Sequence, residues 1–313
     1  MSSNPPTPGT DLSAAAEREA YRLRLDAFLA SRDAGNTLTL DSLLAGIRLE
    51  TVVSAAAAVA DFADEALAII SDEYRPPLHC KEGCWYCCCK PGVLISIPEL
   101  LRILSHVRSA FDDDSLSALT DRARRYAAQI EGRSFDASTD ESVPCPLLVE
   151  GRCSVYEVRP LVCRGYNSTS VDACRKAHRD ASELVPMFAM LKDVTDGATI
   201  GAAQRLHAEG LPDSMVDLGS ALNIALAAGE GFSETIVEDN TALLSTQNST
   251  WVATLWARVQ ETAREIGSSC KSDCLNPPVS HDDIAALEHS FSVEYADVTN
   301  DEELHRVSVL RND

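Results

Sequence analysis

The chain has 313 residues, a formal net charge of −21 and a sequence pI near 4.6. That length can bury a full core, so disulfides are not needed to compensate for small size. The acidity excludes a broad basic field for phosphate backbones, and with aromatics at 5% there are few platforms for stacking single strands; no nucleic-acid partner is expected.

Residues 1–10 are rich in Pro and Ser and read as a disordered lead without the basic and apolar regions of a signal peptide. Asp11 as an N-cap, with Tyr21, Leu25, Phe28 and Leu29 on one face, predicts a helix that stops near Gly35-Asn36. A second helix is expected from about Asp41 to Tyr74. Its apolar stripe is Leu44, Ile47, Val52, Ala56, Val59, Phe62, Ala66 and Ile69, and Arg75-Pro76-Pro77 ends it. The most apolar stretch, residues 52–60, is far short of the roughly 20 residues of a membrane span, so no membrane partner is expected.

A cysteine-bearing loop follows, with Gly83 and Pro91-Gly92 as turn residues. Residues 93–95 suit a short strand. Ser96-Ile97-Pro98-Glu99 is a capping box opening a helix that carries Leu100, Leu101, Leu104 and Val107. Another helix is expected over 116–130, then a polar loop over 131–144. Residues 147–149 and 152–156 read as a hairpin turning at Glu150-Gly151, with Cys153 on its return arm. Residues 157–163 suit a turn or short helix interrupted by Pro160. Ser170 can cap a helix that places Cys174 and His178 on one face.

Beyond residue 181 the pattern is helical again. Leu218, Ala221, Leu222 and Ala225 form one stripe; Trp251, Leu255, Ala257 and Val259 form another, capped by Asn248 or Ser249. Residues 267–280 resemble a linker and contain Cys270 and Cys274, and the end is acidic. The expected fold is mainly α, with a small irregular cysteine-rich metal-binding module containing minor β. Its segments are an N-terminal helical part (1–74), the cysteine module (75–180), a C-terminal helical part (181–266), and a linker with acidic tail (267–313).

The chemistry lies in the cysteines. Nine of eleven fall between positions 80 and 174: Cys80, Cys84, Cys87, Cys88, Cys89, Cys145, Cys153, Cys163 and Cys174. The expected compartment is the cytoplasm, where thiols stay reduced and a dense cysteine group holds metal more often than it pairs. Eleven is also odd, which complete pairing within one chain cannot accommodate. Zinc or an iron–sulfur cluster takes about four thiolates. Three adjacent residues cannot all turn to one ion, so Cys87, Cys88 and Cys89 imply either two sites sharing this segment or one site plus a free thiol. Setting Cys89 aside leaves eight candidate ligands: Cys80, Cys84, Cys87, Cys88, Cys145, Cys153, Cys163 and Cys174.

Cys145-Pro146 matches the end of a bacterial ferredoxin ligand run and leans towards iron–sulfur over zinc. Arg152, Arg159, Arg164, Arg175, Lys176 and Arg179 make a locally basic patch that would offset an anionic thiolate site or bind a carboxylate. His79 and His178 are alternative ligands, more often found in supporting or surface roles. Trp85, Tyr156 and Tyr166 suit shielding from water. Cys270 and Cys274 cannot complete a site alone. No P-loop, dinucleotide fingerprint, nucleophile elbow or zinc-protease motif is present.

The string Cys80-x-x-Gly83-Cys84-x-x-Cys87-Cys88, Val93, Glu99, Cys145-Pro146-Leu147-Leu148, Gly151-Arg152-Cys153-Ser154-Val155-Tyr156-Glu157-x-Arg159-Pro160-Leu161-x-Cys163-Arg164 and Cys174 resembles the YkgJ-like cysteine cluster proteins, whose signature is CxxCxxCC. The likeness covers about residues 78–180; the first interval here is one residue longer, and Cys89 is extra. It implies a zinc- or iron-chelating domain with an unknown protein or small-molecule partner. A similar cysteine domain occurs in flagellin lysine N-methylases, with a [4Fe–4S] cluster and S-adenosylmethionine. That implies redox or methyl-transfer chemistry as the alternative to a metal-binding protein without catalysis.

Overall fold

A computed structural model describes residues 9–81, 83–131, 142–180, 183–229, 231–238 and 243. The chain begins with α1 (Gly9–Leu43) and α2 (Leu49–Tyr74), then a 3₁₀ turn (Tyr86–Cys89), β1 (Leu94–Ser96), α3 (Ile97–Ala110) and α4 (Asp113–Ile130). The hairpin β2 (Leu148–Val149) and β3 (Arg152–Cys153) leads through a 3₁₀ turn (Tyr156–Val158) to α5 (Leu161–Gly165) and α6 (Val171–Arg179). Then come α7 (Ala189–Ala208), β4 (Met215–Asp217), α8 (Leu218–Ala228) and α9 (Phe232–Glu238). The described fold is thus mostly helical with minor antiparallel strands. Of the lead expected to be disordered, residues 1–10, Gly9 and Thr10 instead open α1, and the rest lies outside the described residues, as do the helix expected near Trp251, the Cys270–Cys274 linker and the acidic tail.

The first helix does not stop at Gly35-Asn36. It continues to Leu43 because Gly35 serves a close helix approach: a Cβ there would overlap the backbone of Ala198 in α7. Gly197 meets the carbonyl of Phe28 in the same way, and Gly201 that of Arg32. Arg24 donates to Asp193 through Nε (2.6 Å) and Nη2 (3.0 Å), and Arg205 donates to Asn36 Oδ1 through Nε (3.2 Å) and Nη2 (2.8 Å). Contacts advance by four residues on each helix in the same sense, so α1 and α7 run parallel, with their i±4 ridges interlocked. Parallel macrodipoles repel; the buried Arg24–Asp193 pair and the Arg205–Asn36 bonds hold them together.

The second helix starts at Leu49, later than Asp41. Leu44 and Ile47 fall in the turn before it and stay exposed, as does Ile69, while Val52, Ala55, Ala56, Val59, Ala60, Ala63 and Ile70 are buried. Its end is as expected: Arg75 adopts a left-handed cap (φ 44°) just before Pro76-Pro77.

β1 and β4 pair antiparallel, Ile95 opposite Val216, and each runs directly into a helix. Ser96 caps α3 as expected, with its N–H donating to Glu99 Oε2 (2.8 Å). Asp217 caps α8, its Oδ1 accepting the N–H of Ser220 (2.8 Å). Between these strand–helix units lies the main core, built on Ile95, Leu100, Leu101, Leu104, Val107, Leu218, Leu222 and Ala225. Tyr126 of α4 locks the pair from outside, donating to Asp217 Oδ2 (3.0 Å) and accepting from the N–H of Gly92 (3.1 Å).

Gly201→Ala should cost about 1–3 kcal/mol, because the added methyl can be relieved only by moving α7 off α1. A lower urea midpoint at unchanged slope would show it; an unchanged midpoint would contradict the close approach.

Candidate metal centre

The first cysteine segment, residues 80–89, is pinned between two neighbours. On one side, the N–H of His79 donates to Ser168 O (2.8 Å), and His79 Nδ1 accepts the N–H of Val171 (3.4 Å) at the start of α6. The 3₁₀ turn packs against α6, which carries the buried Cys174. That helix forms because Ser170 accepts the N–H of Ala173 (3.2 Å). On the other side, the N–H groups of Val143 and Cys145 donate to the carbonyls of Cys89 (3.0 Å) and Cys88 (2.8 Å).

The hairpin holding Cys153 turns at Glu150 (φ 50°) and Gly151 (φ 76°), the paired left-handed conformation of a tight two-residue turn. Gly151 also gives Trp85 room to pack: a Cβ would sit 3.3 Å from its ring. Trp85 stacks on Tyr86 (centroids 4.9 Å) and meets His178 edge-on (5.1 Å), so it lies between the hairpin and α6. Cys163 rides on α5, whose first N–H, from Leu161, donates to Glu99 Oε1 (2.7 Å).

Backbone N–H groups point at the sulfurs. Cys84 accepts from Tyr86, Cys145 from Leu147 and Cys153 from Val155, each two residues on. Cys80 accepts from Ser168. Such donors favour a thiolate over a thiol and orient it. Even so, burial pushes the Cys80 thiol up to about 11 and the Cys145 thiol up to about 12, and raises Cys84 and Cys153. Cys163 is also raised by burial, then by Cys145, Cys87 and Cys153; Cys87 is raised first by its hydrogen bond with Cys88.

The gathered sulfurs therefore resist joint ionisation without a cation among them. After burial, Cys80 is raised by Cys84, Cys174 and Cys87, and Cys84 by Cys87 and Cys174; Cys163 is raised by Cys145, Cys87 and Cys153, Cys153 by Cys87, and Cys145 by Cys153 and Cys89. Among the described residues, no three His, Cys, Asp or Glu side chains are drawn closely enough to hold an ion. Cys89 is buried, its thiol is hydrogen-bonded with the Ser142 side chain, and it interacts with Cys87 and Cys145. His79 is engaged with α6 and His178 with the aromatic cluster.

The basic patch is divided among different partners. Arg164 is buried and committed to Asp64 of α2 and to the carbonyls of Arg159 (2.8 Å) and Glu157 (2.9 Å). Arg175 pairs with Asp172 (2.7 Å). Arg159 lies over the Tyr156 ring (4.2 Å) and exerts a lowering pull on Cys153, while its buried Nε has no hydrogen-bond partner. A buried donor without an acceptor beside a sulfur suits an anionic thiolate centre. The donor set thus fits zinc or iron in its chemistry: soft sulfur, inward N–H groups and an unpaired guanidinium N–H.

Residues 79–183 match the CxxCxxCC family. The family model is described as "Putative zinc- or iron-chelating domain" and covers both cysteine groups. No curated protein and no solved structure matches the chain. No helix among the described residues is long and apolar enough to cross a membrane.

Tyr166 is closer to the sulfurs than a peripheral shield: burial pushes its phenol up to about 12, with Cys87, Cys174 and Cys80 contributing. The tether from Glu99 to Leu161 is not evident from the capping box, which accounts for only one carboxylate oxygen. Glu99→Ala strands the N–H groups of Ser96 and Leu161, and should lower stability by about 3 kcal/mol and metal affinity by roughly tenfold. Denaturant unfolding and competition with a coloured chelator would measure both; unchanged metal affinity would show that α5 needs no such anchor.

The pH dependence follows from the raised thiols and Tyr126, whose phenol is also pushed up by burial. Above about pH 9 the unfolded ion-free chain releases these protons first, so it binds fewer and folding stability falls as pH rises. Thermal melts of ion-free protein should therefore drop between about pH 8 and pH 11. The slope should be smaller with metal bound, because ligand thiols are then already deprotonated. A flat ion-free profile would contradict the burial of these thiols.

Proposed function

We propose that the cysteine module is a thiolate metal centre, held by Cys80, Cys84, Cys87, Cys88, Cys145, Cys153, Cys163 and Cys174 and occupied by zinc or by an iron–sulfur cluster. The supporting observation is that thiols of the 80–89 segment, the 145–153 hairpin region, α5 and α6 influence one another electrostatically, with backbone N–H groups aimed at four of them. Metal binding agrees with the family match. Bound metal would supply the positive charge that these mutually repelling thiols lack, and would cross-link four elements otherwise joined through a few backbone bonds.

The chain's own residues divide the supporting work. Glu99 and Arg164 seat α5, Ser168 and Ser170 set Cys80 and α6, and Trp85 fills the space between hairpin and α6. Because the centre ties distant elements together, its first effect is on stability: at free metal about a thousandfold above Kd, linkage stabilises the fold by roughly 4 kcal/mol. The methyl-transfer alternative rests on the sequence resemblance alone.

Elemental and acid-labile sulfide analysis with a visible spectrum, on full-length protein purified without oxygen, tests the proposal. Iron with sulfide and a brown colour assigns a cluster, and zinc in a colourless sample assigns a zinc site. Protein that holds neither metal, even after reconstitution, would refute the proposal. Cys163→Ser should lose metal and melt at lower temperature, whereas Cys270→Ser should match the parent in both.

A further inference from the structure

We propose that Arg159 is a positioning residue of the thiolate centre, its Nε–H donating to the Cys153 sulfur once that sulfur is a metal-bound thiolate. This deepens the thiolate-centre proposal and rests on it.

The Nε–H of Arg159 is buried and has no hydrogen-bond partner, and among the described residues no carboxylate pairs with its guanidinium. A charged donor taken out of water is costly to leave unmet, so an anionic acceptor is its complement. Cys153 is the neighbour on which Arg159 acts: against the raising effect of burial, the guanidinium draws this sulfur towards the thiolate. A thiol is a weak acceptor, whereas a hydrogen bond between two ionised groups is short and strong. Metal binding removes the thiol proton. The donor that is unmet in the ion-free chain thereby gains its acceptor.

The backbone around Arg159 holds its side chain in place. Residues 155–158 turn tightly, with the N–H of Val158 donating to Val155 O (2.9 Å). The carbonyl of Arg159 accepts from Arg164 Nε (2.8 Å), and that of Glu157 from Arg164 Nη2 (2.9 Å). Arg164 is itself buried and tied to Asp64 of α2. The guanidinium then lies over the Tyr156 ring at 4.2 Å, a cation–π contact that restrains its plane. Cys153 already accepts the backbone N–H of Val155; Arg159 adds a second, charged donor to the same sulfur. Two donors draw charge off a thiolate and lower the energy of its lone pairs, which tunes the metal as well as orienting its ligand. Lysine carries the charge without the planar fork that fixes the direction of Nε–H.

NMR of the reduced full chain loaded with cadmium-113 tests this on the unmutated protein. The Arg159 Nε–H should show a scalar coupling to cadmium across the N–H···S–Cd bridge, assigned by its loss in Arg159→Lys. Cobalt(II) loading supplies a second readout. In Arg159→Lys and Arg159→Leu the sulfur-to-cobalt band should move to longer wavelength and affinity should fall about tenfold. Tyr156→Phe keeps the ring and should match the parent in both. Sulfur-bound metal with no coupling to Arg159, and an unmoved band in its variants even where affinity falls, would make Arg159 merely structural. That result would overturn the proposed bond and leave the thiolate centre standing. A parent chain that binds neither cadmium nor cobalt through sulfur would overturn both.

Discussion

The carboxylate of Glu99 joins the fold to the metal module. One oxygen closes the N-terminus of α3 through Ser96; the other holds the first N–H of α5. Glu99 is 8% exposed and sits where α1, α2, α3, α5 and α7 converge. A buried carboxylate is stable only when its lone pairs are satisfied. Here the groups that satisfy it are the starts of the two helices whose relative position sets where Cys163 lies.

The same economy of polar groups governs the helical scaffold. The parallel pair α1–α7 has backbones too close for any side chain at Gly197 and Gly201. Dispersion over that contact, together with the buried Arg24–Asp193 pair, outweighs the side-by-side dipoles. The pairing also joins the two helical segments flanking the cysteine module, so the module emerges from a shared base. Arg164 reaches from α5 back to Asp64 on α2 and fixes the module to that base.

Within the module the dominant force is electrostatic. Burial and mutual repulsion hold the thiols protonated, while N–H groups from Tyr86, Leu147, Val155 and Ser168 are placed to serve thiolates. These opposing influences are reconciled by a cation, and the unpaired Nε of Arg159 beside Cys153 points the same way. Proton loss and metal uptake are then one coupled event.

Sequence alone determined the features that depend on near neighbours. The Ser96–Glu99 capping box, the Glu150-Gly151 hairpin, the Ser170 cap before Cys174 and the proline stop after Tyr74 all close within a few residues, so local residue types suffice. The CxxCxxCC pattern and its chemistry were legible for the same reason: thiolate softness needs no tertiary context. Tertiary structure decided what distant contacts control. Gly35 looks like a helix end but serves a helix crossing, and β4 is three residues long, defined only by its pairing with β1. Where the cysteine-bearing segments meet depends on Ser168, Cys145 and Glu99, residues set by the tertiary contacts of the first cysteine segment and of α5. A glycine or a cysteine has the same local signature in either role; only its spatial partner determines which role it plays.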